Sequence, residues 1–369
     1  MKLHCLNDID YNELIFKLLL SNNPFTSTLS ISSTGYPTIG YNFNLQDDRT
    51  LLPVLNSLGF DVYEKRLSTD ALAAEKYYID LIRSALQILN SKDTESLNNV
   101  IQSILAARLT DKRYNDYPDF KRVAQFIYDS ESDFVVCLGA IVKNYEKTVD
   151  QWLMSFDLEI INQTPQLLAR KTRERAVLFS LAQQGLLKLM RNNKPTLPLL
   201  GDALAVDNRA EAWYQIRYAC FSQSDKDVEL VKRRYYESEL FGLYDAGTDG
   251  NTISSNKCKE IYSMFHEYKD SIMQHERHYS VKITDANLKY KLSGNAAIKT
   301  LEQSFSIAYN HVRSSNTIKS PIASNPRASV KPNGLDKVPV LTPWKPASSK
   351  TTDQSDMQEY HGLRNAAVG

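Results

Sequence analysis

Apolar residues recur at helical spacing near the start of the chain and then give way to a polar, β-branched stretch. Four of them would share one face of a helix over residues 9–20, because side chains three and four positions apart lie on the same side of a helix. They are Leu14, Ile15, Leu18 and Leu19. Pro24 ends this helix, since proline disfavours helical geometry in the residue before it. The β-branched residues of 25–44 predict a small sheet.

Apolar residues recur at helical spacing again after residue 67, and this pattern continues through most of the chain. Ser68, Thr69 and Asp70 predict the N-terminal cap of a long helix that runs to about Leu89. Apolar residues repeat again from Cys258 to Ile272, which predicts an amphipathic helix. The other predicted helices cover 94–108, 118–128, 132–155, 170–190, 208–218, 228–241 and 294–313. The pattern therefore predicts an α+β protein that is predominantly helical.

The composition excludes several classes of protein. Hydrophobic residues make up 42% of the 369 residues and charged residues 24%, as in an ordinary globular protein. The formal net charge of +1 gives no global field that would favour nucleic acid or an anionic membrane as a partner. Four cysteines without a CxxC pair predict free thiols, and neither a metal site nor a cofactor is expected.

Neither a membrane span nor a secretory signal is visible in the sequence. The acidic start of the chain and the short run Leu18–Leu20 do not fit the apolar core of a signal peptide. We therefore expect synthesis in the cytoplasm, and a dedicated secretion system if the protein acts elsewhere.

One local segment, Ser32–Leu45, carries the most information. Gly35 and Gly40 bracket strand-forming residues, and glycine adopts positive φ without steric penalty, so the segment predicts a tight hairpin. An ordinary surface hairpin would show the same pattern, so this segment alone leaves the function open.

Three segments together resemble the phage-type lysozymes, which include the muramidases of T-even-like phages, bacterial prophage homologues and pesticin. The first is the hairpin run Gly-Tyr-Pro-Thr-Ile-Gly-Tyr over 35–41. The second covers 172–182. The third and most specific is 209–218, followed by 232–237 and 240–245.

This resemblance implies a two-lobed lysozyme-like fold. A small β-hairpin lobe would cover residues 1–65, and a connecting helix with a large helical lobe would cover 66–314. The helix from Thr69 to Leu89 would join the lobes, with a cleft for peptidoglycan or a related glycan between them. Residues 315–369 are rich in Ser, Pro, Lys and Asn and are expected to be a disordered tail, because they cannot bury enough apolar surface.

The acids that glycoside hydrolysis requires are absent from the expected positions. The reaction needs an acid for the leaving oxygen and a second carboxylate. The resemblance places these groups on Asn23 and Ser32, and a third catalytic group on Thr38, which is retained. An amide has no proton to give near neutral pH, and a serine hydroxyl does not readily accept one. No Asp or Glu occurs between Leu14 and Gln46, so a small shift of the alignment restores neither acid.

Other carboxylates are not expected to replace them. Glu13 lies nearly three helical turns before Asn23, and Asp47 and Asp48 are expected to be solvated turn residues after the second strand.

Several further residues are candidates for the substrate cleft. The resemblance places Tyr36, Gln215 and Arg217 along it. Arg233 and Arg234 would either contact substrate carboxylates or lie on a helix surface.

Aromatic and histidine residues have weaker functional signals. His275 and His278 could be half of a metal site, but no third ligand stands out and a solvated helix face is expected instead. Trp213, Tyr214 and Tyr218 are expected to be core or cleft-wall aromatics.

Three functions follow from these observations. The leading hypothesis is a lysozyme-like protein with an impaired hydrolytic centre that binds glycan or a protein partner. The second is an active peptidoglycan-cleaving hydrolase, such as an endolysin or an antibacterial toxin, that uses other residues. The third is a secreted bacterial effector that uses the fold for protein interaction, suggested by the polar and acidic residues of 353–359.

Overall fold

The computed structural model describes residues 1–20, 24–32, 35–88, 93–118, 120, 123–156, 170–190, 193–220, 228–248 and 252–285. This part of the chain contains ten α-helices and three strands. The helices are α1 Asp8–Leu20, α2 Asp48–Ser57, α3 Thr69–Ile88, α4 Thr94–Thr110, α5 Glu131–Met154, α6 Arg173–Gln183, α7 Pro198–Ala205, α8 Arg209–Tyr214, α9 Val228–Phe241 and α10 Ser255–Asp285. The strands are β1 Thr26–Ile31, β2 Pro37–Gly40 and β3 Phe43–Asn44. The predicted class, α+β and predominantly helical, is confirmed.

The three strands form one antiparallel sheet in the order β1-β2-β3. Ser30 pairs with Thr38 and Thr26 pairs with Gly40, with an irregularity between the two pairs. Both hairpin glycines have positive φ, +84° at Gly35 and +66° at Gly40. The sheet predicted over 25–44 is therefore confirmed, and its glycines lie where the backbone needs them.

Side-chain caps explain where several helices begin. The side chains of Asp93, Ser130 and Thr172 each accept a hydrogen bond from a backbone N–H in the first turn of the helix that follows. Such caps satisfy donors that have no partner within the helix. Gly185, at φ +73°, lies just beyond the end of α6.

Two helices were missed by the sequence patterns. Helix α2 contains Pro53, and the side chain of Asp47 caps it by accepting from the N–H of Arg49. Asp47 and Asp48 are thus a helix cap and a helix start, and their assignment to a solvated turn is wrong. Helix α7 has only eight residues, too few for a clear period.

Two predicted helices are wrong or too long. The helix predicted over 118–128 is not formed, because Ile127 forms an isolated bridge with Thr28 and the N–H of Tyr128 donates to the carbonyl of Ser27. The helix predicted over 170–190 is limited to α6. The predictions for Asn23, for 294–313 and for 315–369 lie outside the described residues.

Helix packing places a shared core around the sheet and α5. Helix α5 packs on α2 and α6, α3 packs on α4, and α10 packs on α8. Buried apolar side chains from both sides of residue 65 belong to one cluster, and Glu75 on α3 accepts from the N–H of Asp61 at 2.7 Å. The division into two lobes with α3 as connector stays a prediction. Within the described residues, every helix is too short or too polar to cross a bilayer.

Candidate functional site

The strand that carries Thr38 is buried along its whole length. The Thr38 side chain is only 3% exposed. Its hydroxyl lies 3.1 Å from the Ser30 hydroxyl and donates to the Ser30 carbonyl at 3.4 Å. The hydroxyl that the family resemblance assigns to catalysis therefore links β1 to β2.

Ser32 has a structural role in the hairpin turn. Its hydroxyl accepts from the N–H of Tyr36 at 3.0 Å, and its own N–H donates to the Tyr36 carbonyl at 2.8 Å. The N–H of Gly35 donates to the Ser32 carbonyl at 2.9 Å. These bonds close the turn and present the exposed ring of Tyr36 at its end, where it is available to a ligand.

Helix α5 covers the other end of the hairpin. The ring of Phe134 packs directly over Gly40, and the phenol of Tyr41 donates a hydrogen bond to Glu131. Burial raises the pKa of the Tyr41 phenol, and the hydrogen bond and charge of Glu131 raise it further, so the phenol stays a donor at neutral pH. The rings of Phe16 and Phe25 pack against Tyr41, and the ring of Phe43 packs against Phe134, so an aromatic cluster forms at this end of the hairpin.

Glu131 is a carboxylate at the hairpin that sequence reasoning missed. It lies 90 residues from Tyr41 in the chain, and no local pattern indicates that the two meet. Tyr41 follows Gly40, whose positive φ of +66° turns the chain at the end of β2. Glu131 is therefore a carboxylate at the end of the hairpin that carries Tyr41.

Gln215 and Arg217 lie in the interior of the helical region. They belong to a π-helical segment, Gln215–Ala219, that continues α8. The Arg217 guanidinium stacks 3.7 Å from the centre of the Tyr235 ring and donates to the Ser238 hydroxyl at 3.1 Å. Gln215 donates to Glu211 at 2.7 Å. The Arg217 contacts hold the π-helical segment to α9 and the Gln215 bond lies within the helix, so the placement of both side chains in a substrate cleft finds no support.

Arg233 and Arg234 are also committed to interior contacts. Arg234 is fully buried and pairs with Glu237, while Arg233 pairs with Glu237 and donates to the Ser180 hydroxyl at 2.9 Å. The sequence predicted either contact with substrate carboxylates or a place on a helix surface. Neither prediction is right, because both arginines join α9 to residues of the neighbouring segments.

His275 packs in the core instead of facing solvent. Its ring lies 5.1 Å from the ring of Tyr218 and 4.8 Å from that of Tyr279. The described residues contain no group of three side chains placed to hold a metal ion. Trp213, Tyr214 and Tyr218 are buried, as expected for core aromatics.

An open groove of about 540 Å³ lies beside the hairpin. It runs between the end of α2, the segment 123–129 and the start of α5, and its volume suits a small ligand or a short chain segment. Its lining includes the apolar side chains of Leu58, Val123, Ile127 and Val136 and the acidic side chains of Asp129 and Asp133. The groove thus combines an apolar wall with negative charge.

A second cavity, of about 300 Å³, is lined by charged side chains of both signs. Lys2, Asp245, Lys257 and Glu260 are among its lining residues. Lys257 already donates to Glu260 at 2.8 Å, and Arg209 at the same cavity donates to Asp245 at 3.1 Å. The charges are largely paired with each other, so the groove is the better candidate for ligand binding.

Comparison with protein-family models, curated proteins and solved structures gives no match.

Proposed function

We propose that the chain is a lysozyme-like protein that binds glycan or a protein partner and has lost most or all muramidase activity. The proposal rests on one observation: the hydroxyls of Thr38 and Ser32 form hydrogen bonds within the sheet and its turn. Thr38 is bonded to Ser30 inside the sheet, and Ser32 is bonded within the turn. Both hydroxyls therefore have hydrogen-bond partners within the sheet and its turn.

The missing acids support the same proposal. Retaining and inverting glycosidases need two carboxyl groups roughly 5–10 Å apart across the scissile bond. The described carboxylate at the hairpin, Glu131, accepts a hydrogen bond from the phenol of Tyr41. Loss of one acid–base group typically lowers the rate by about 100- to 10,000-fold, so we expect at most weak hydrolysis.

The groove beside the hairpin is the surface through which we expect binding. It is joined to the hairpin through the hydrogen bond from the N–H of Tyr128 to the carbonyl of Ser27, 2.9 Å long. Asp129 and Asp133 would select a ligand that carries hydrogen-bond donors or positive charge, which both amino sugars and peptide segments offer.

A lysis assay on purified peptidoglycan tests the loss of activity. The wild type is compared with the double variant Asn23→Glu/Ser32→Asp, and Asn99→Glu/Ser103→Asp is the control because it adds the same groups to an exposed face of α4. We expect no lysis from the wild type or the control. Lysis by the wild type at the rate of an active muramidase would contradict the proposal.

Sedimentation with insoluble peptidoglycan tests the binding. We expect Val136→Lys, which places a positive charge beside the groove aspartates, to weaken binding relative to Val100→Lys on α4, which is also exposed. Equal binding by the two variants would rule out the groove, and a screen for protein partners with the same pair would follow.

One observation favours the second candidate, an active hydrolase with unorthodox residues. Glu131 is held at the hairpin by a hydrogen bond from Tyr41 and would be one of its two carboxylates. In that case Glu131→Gln would abolish lysis, while Glu95→Gln in the first turn of α4 would not. The effector hypothesis depends on 353–359, which lie outside the described residues, and stays a prediction.

A further inference from the structure

The groove beside the hairpin carries negative charge that no basic side chain of the described residues neutralises. Its lining contains Asp129 and Asp133 and no lysine, arginine or histidine. Both aspartates are exposed, and neither belongs to an ion pair within the described part of the chain. Asp133 accepts a hydrogen bond from the neutral hydroxyl of Ser130 at 2.8 Å. A ligand that supplies positive charge would therefore complement the groove.

A third carboxylate lies between these two aspartates in the chain. Glu131 is exposed, and the partner that the structure shows for it is the neutral phenol of Tyr41. Residues 129–133 thus carry three acidic side chains and no basic one, and the next basic residue along the chain is Lys143. The negative charge at this end of the groove is therefore a local excess, although the whole chain is nearly neutral.

The apolar wall of the groove lies directly beside this charge. Val136 follows Asp133 by three positions on α5, so the two side chains share one face of the helix with their Cβ atoms about 5–6 Å apart. Val136 is 78% exposed, and the half-buried side chains of Val123 and Ile127 line the same groove. A ligand that fills the groove must present hydrocarbon within about one helical turn of a positive charge.

A long basic side chain meets both requirements at once. Lysine and arginine bury their hydrocarbon stems along apolar surface while the charged head stays at a polar position, and arginine can also donate two parallel hydrogen bonds to one carboxylate. The stem would pack on Val136 while the head reaches Asp133. An amino sugar carries its nitrogen directly on the ring, without such a stem, so the groove favours a peptide over a glycan.

We propose that the groove binds a peptide segment of a partner protein in which basic side chains stand next to aliphatic ones. Asp129 and Asp133 pair with the charged heads, and Val136 and Ile127 contact the hydrocarbon stems and the aliphatic side chains. This inference rests on the proposed function, because it takes the groove as the binding surface and names the chemistry of its ligand.

Fluorescence anisotropy with the full chain tests this proposal. The probe is a short labelled peptide of alternating valine and arginine with both ends blocked, and its matched control carries citrulline, which is neutral and nearly the same shape, in place of arginine. We expect the arginine peptide to bind at low salt and to be released as salt screens the charges. The citrulline peptide should bind about tenfold more weakly or less. Equal affinity for the two peptides, or no binding of the arginine peptide at low salt, would overturn the proposal.

Two variants of the protein test whether the peptide binds in the groove. Asp129→Asn/Asp133→Asn removes both charges with little change of shape, and we expect it to lower the affinity for the arginine peptide by about tenfold, as for the loss of two exposed ion pairs. Val136→Ser removes apolar contact area and should lower the affinity by about fivefold. Circular dichroism and thermal unfolding check that each variant is folded.

Matched controls carry the same substitutions outside the groove. Asp8→Asn/Asp10→Asn removes two exposed carboxylates from the first turn of α1, and Val100→Ser removes an exposed apolar group from α4. Controls that bind the arginine peptide like the wild type, while the groove variants bind it more weakly, would support the proposal. Equal losses in groove and control variants would overturn it, because the peptide would then bind through charge spread over the surface.

The peptidoglycan assays separate a failure of this inference from a failure of the proposed function. Binding of peptidoglycan that is weakened by Val136→Lys, without binding of the arginine peptide, would make glycan the ligand of the groove; the inference would then be wrong and the proposed function would stand. Lysis of peptidoglycan by the wild type would contradict the proposed function, whereas the peptide titrations would still decide whether the groove binds basic segments.

Discussion

The ring of Phe134 occupies the space that a side chain on Gly40 would need. A Cβ placed on Gly40 would lie 2.6 Å from Cε1 and 2.7 Å from Cε2 of Phe134, and nearer still to Cζ. Gly40 also has φ +66°, a conformation that other residues rarely adopt. The close approach of α5 to the hairpin, which helps to bury Thr38, therefore depends on a glycine at this position.

Substitution of Gly40 should destabilise the fold far more than substitution of the other hairpin glycine. We expect Gly40→Ala to lower the free energy of unfolding by about 3 kcal/mol or more, because it adds a clash with Phe134 to the backbone strain. Gly35→Ala should lower it by roughly 1–2 kcal/mol, since nothing lies within 4 Å of its Cβ position. Urea unfolding measures both values, and similar losses would contradict the role of Gly40.

Breaking the buried ion pair between α3 and α4 should strongly destabilise the fold. Glu75 accepts two hydrogen bonds of 2.8 Å from Arg108 and one of 2.6 Å from the phenol of Tyr114, and neither charged side chain is exposed. We expect Glu75→Ala to lower the free energy of unfolding by about 3–5 kcal/mol, because it leaves the arginine charge buried and unpaired.

The control for this pair is an exposed ion pair that also involves α3. Glu64 and Lys76 lie 2.8 Å apart with both side chains more than half exposed. Glu64→Ala should therefore change the stability by less than about 1 kcal/mol. Thermal or urea unfolding of the two variants compares them, and an equal effect would argue against a special role for Glu75.

Glu174 should make the stability depend on pH in the acid range. Burial alone would raise its pKa, but the hydrogen bond from His4 and the charge of Arg209 outweigh burial and hold the pKa below its ordinary value. A carboxylate with a lowered pKa in the folded state stabilises the fold above its unfolded pKa of about 4.3 and loses that contribution as the pH falls through the folded pKa.

The measurement is the urea midpoint of wild type and Glu174→Gln from roughly pH 7 down to pH 3. We expect the variant to be less stable at pH 7 and the difference to shrink below about pH 4. Glu13→Gln is the control, because Glu13 is exposed and pairs with the exposed Lys17, 3.7 Å away. A difference for Glu174→Gln that is constant with pH would contradict the assigned pKa shift.

The four free cysteines should differ sharply in reactivity. Cys5 is exposed, whereas Cys137, Cys220 and Cys258 are buried, and burial raises the pKa of the Cys220 thiol to about 12. The thiolate is the reactive form, so we expect a maleimide to label the native protein on Cys5 alone and all four thiols after unfolding. Mass spectrometry counts the labels, and Cys5→Ser should leave the native protein unlabelled.

Local patterns predicted most of the helices but failed where tertiary contacts override them. The predicted spans of α1, α3, α4, α5 and α9 agree with the structure to within a few residues, because each has a long apolar face. The segment 118–128 has a helical pattern, yet Ile127 pairs with Thr28 in the sheet. A pairing partner about a hundred residues away leaves no local signal in the sequence.

The same limit applies to the candidate site. The sequence indicated the hairpin, the retained Thr38 and the absence of nearby acids, which are all local features. It could not show that Glu131 reaches Tyr41, or that Arg217 stacks on Tyr235 inside the helical region. Whether an arginine is buried and paired depends on which helices pack around it, and contacts throughout the core determine that packing.

The sequence by itself thus determined the class of the fold, the position of the hairpin and the absence of acids between Leu14 and Gln46, because glycine geometry, helical periodicity and residue chemistry are local properties. Only the tertiary structure decided that α5 covers the end of β2, that Thr38 and Ser32 are bound within the sheet and turn, and that a groove with acidic residues lies beside the hairpin. These features depend on close packing between segments that are distant in the chain. In a close-packed interior, the position of each side chain is limited by the shape of its neighbours.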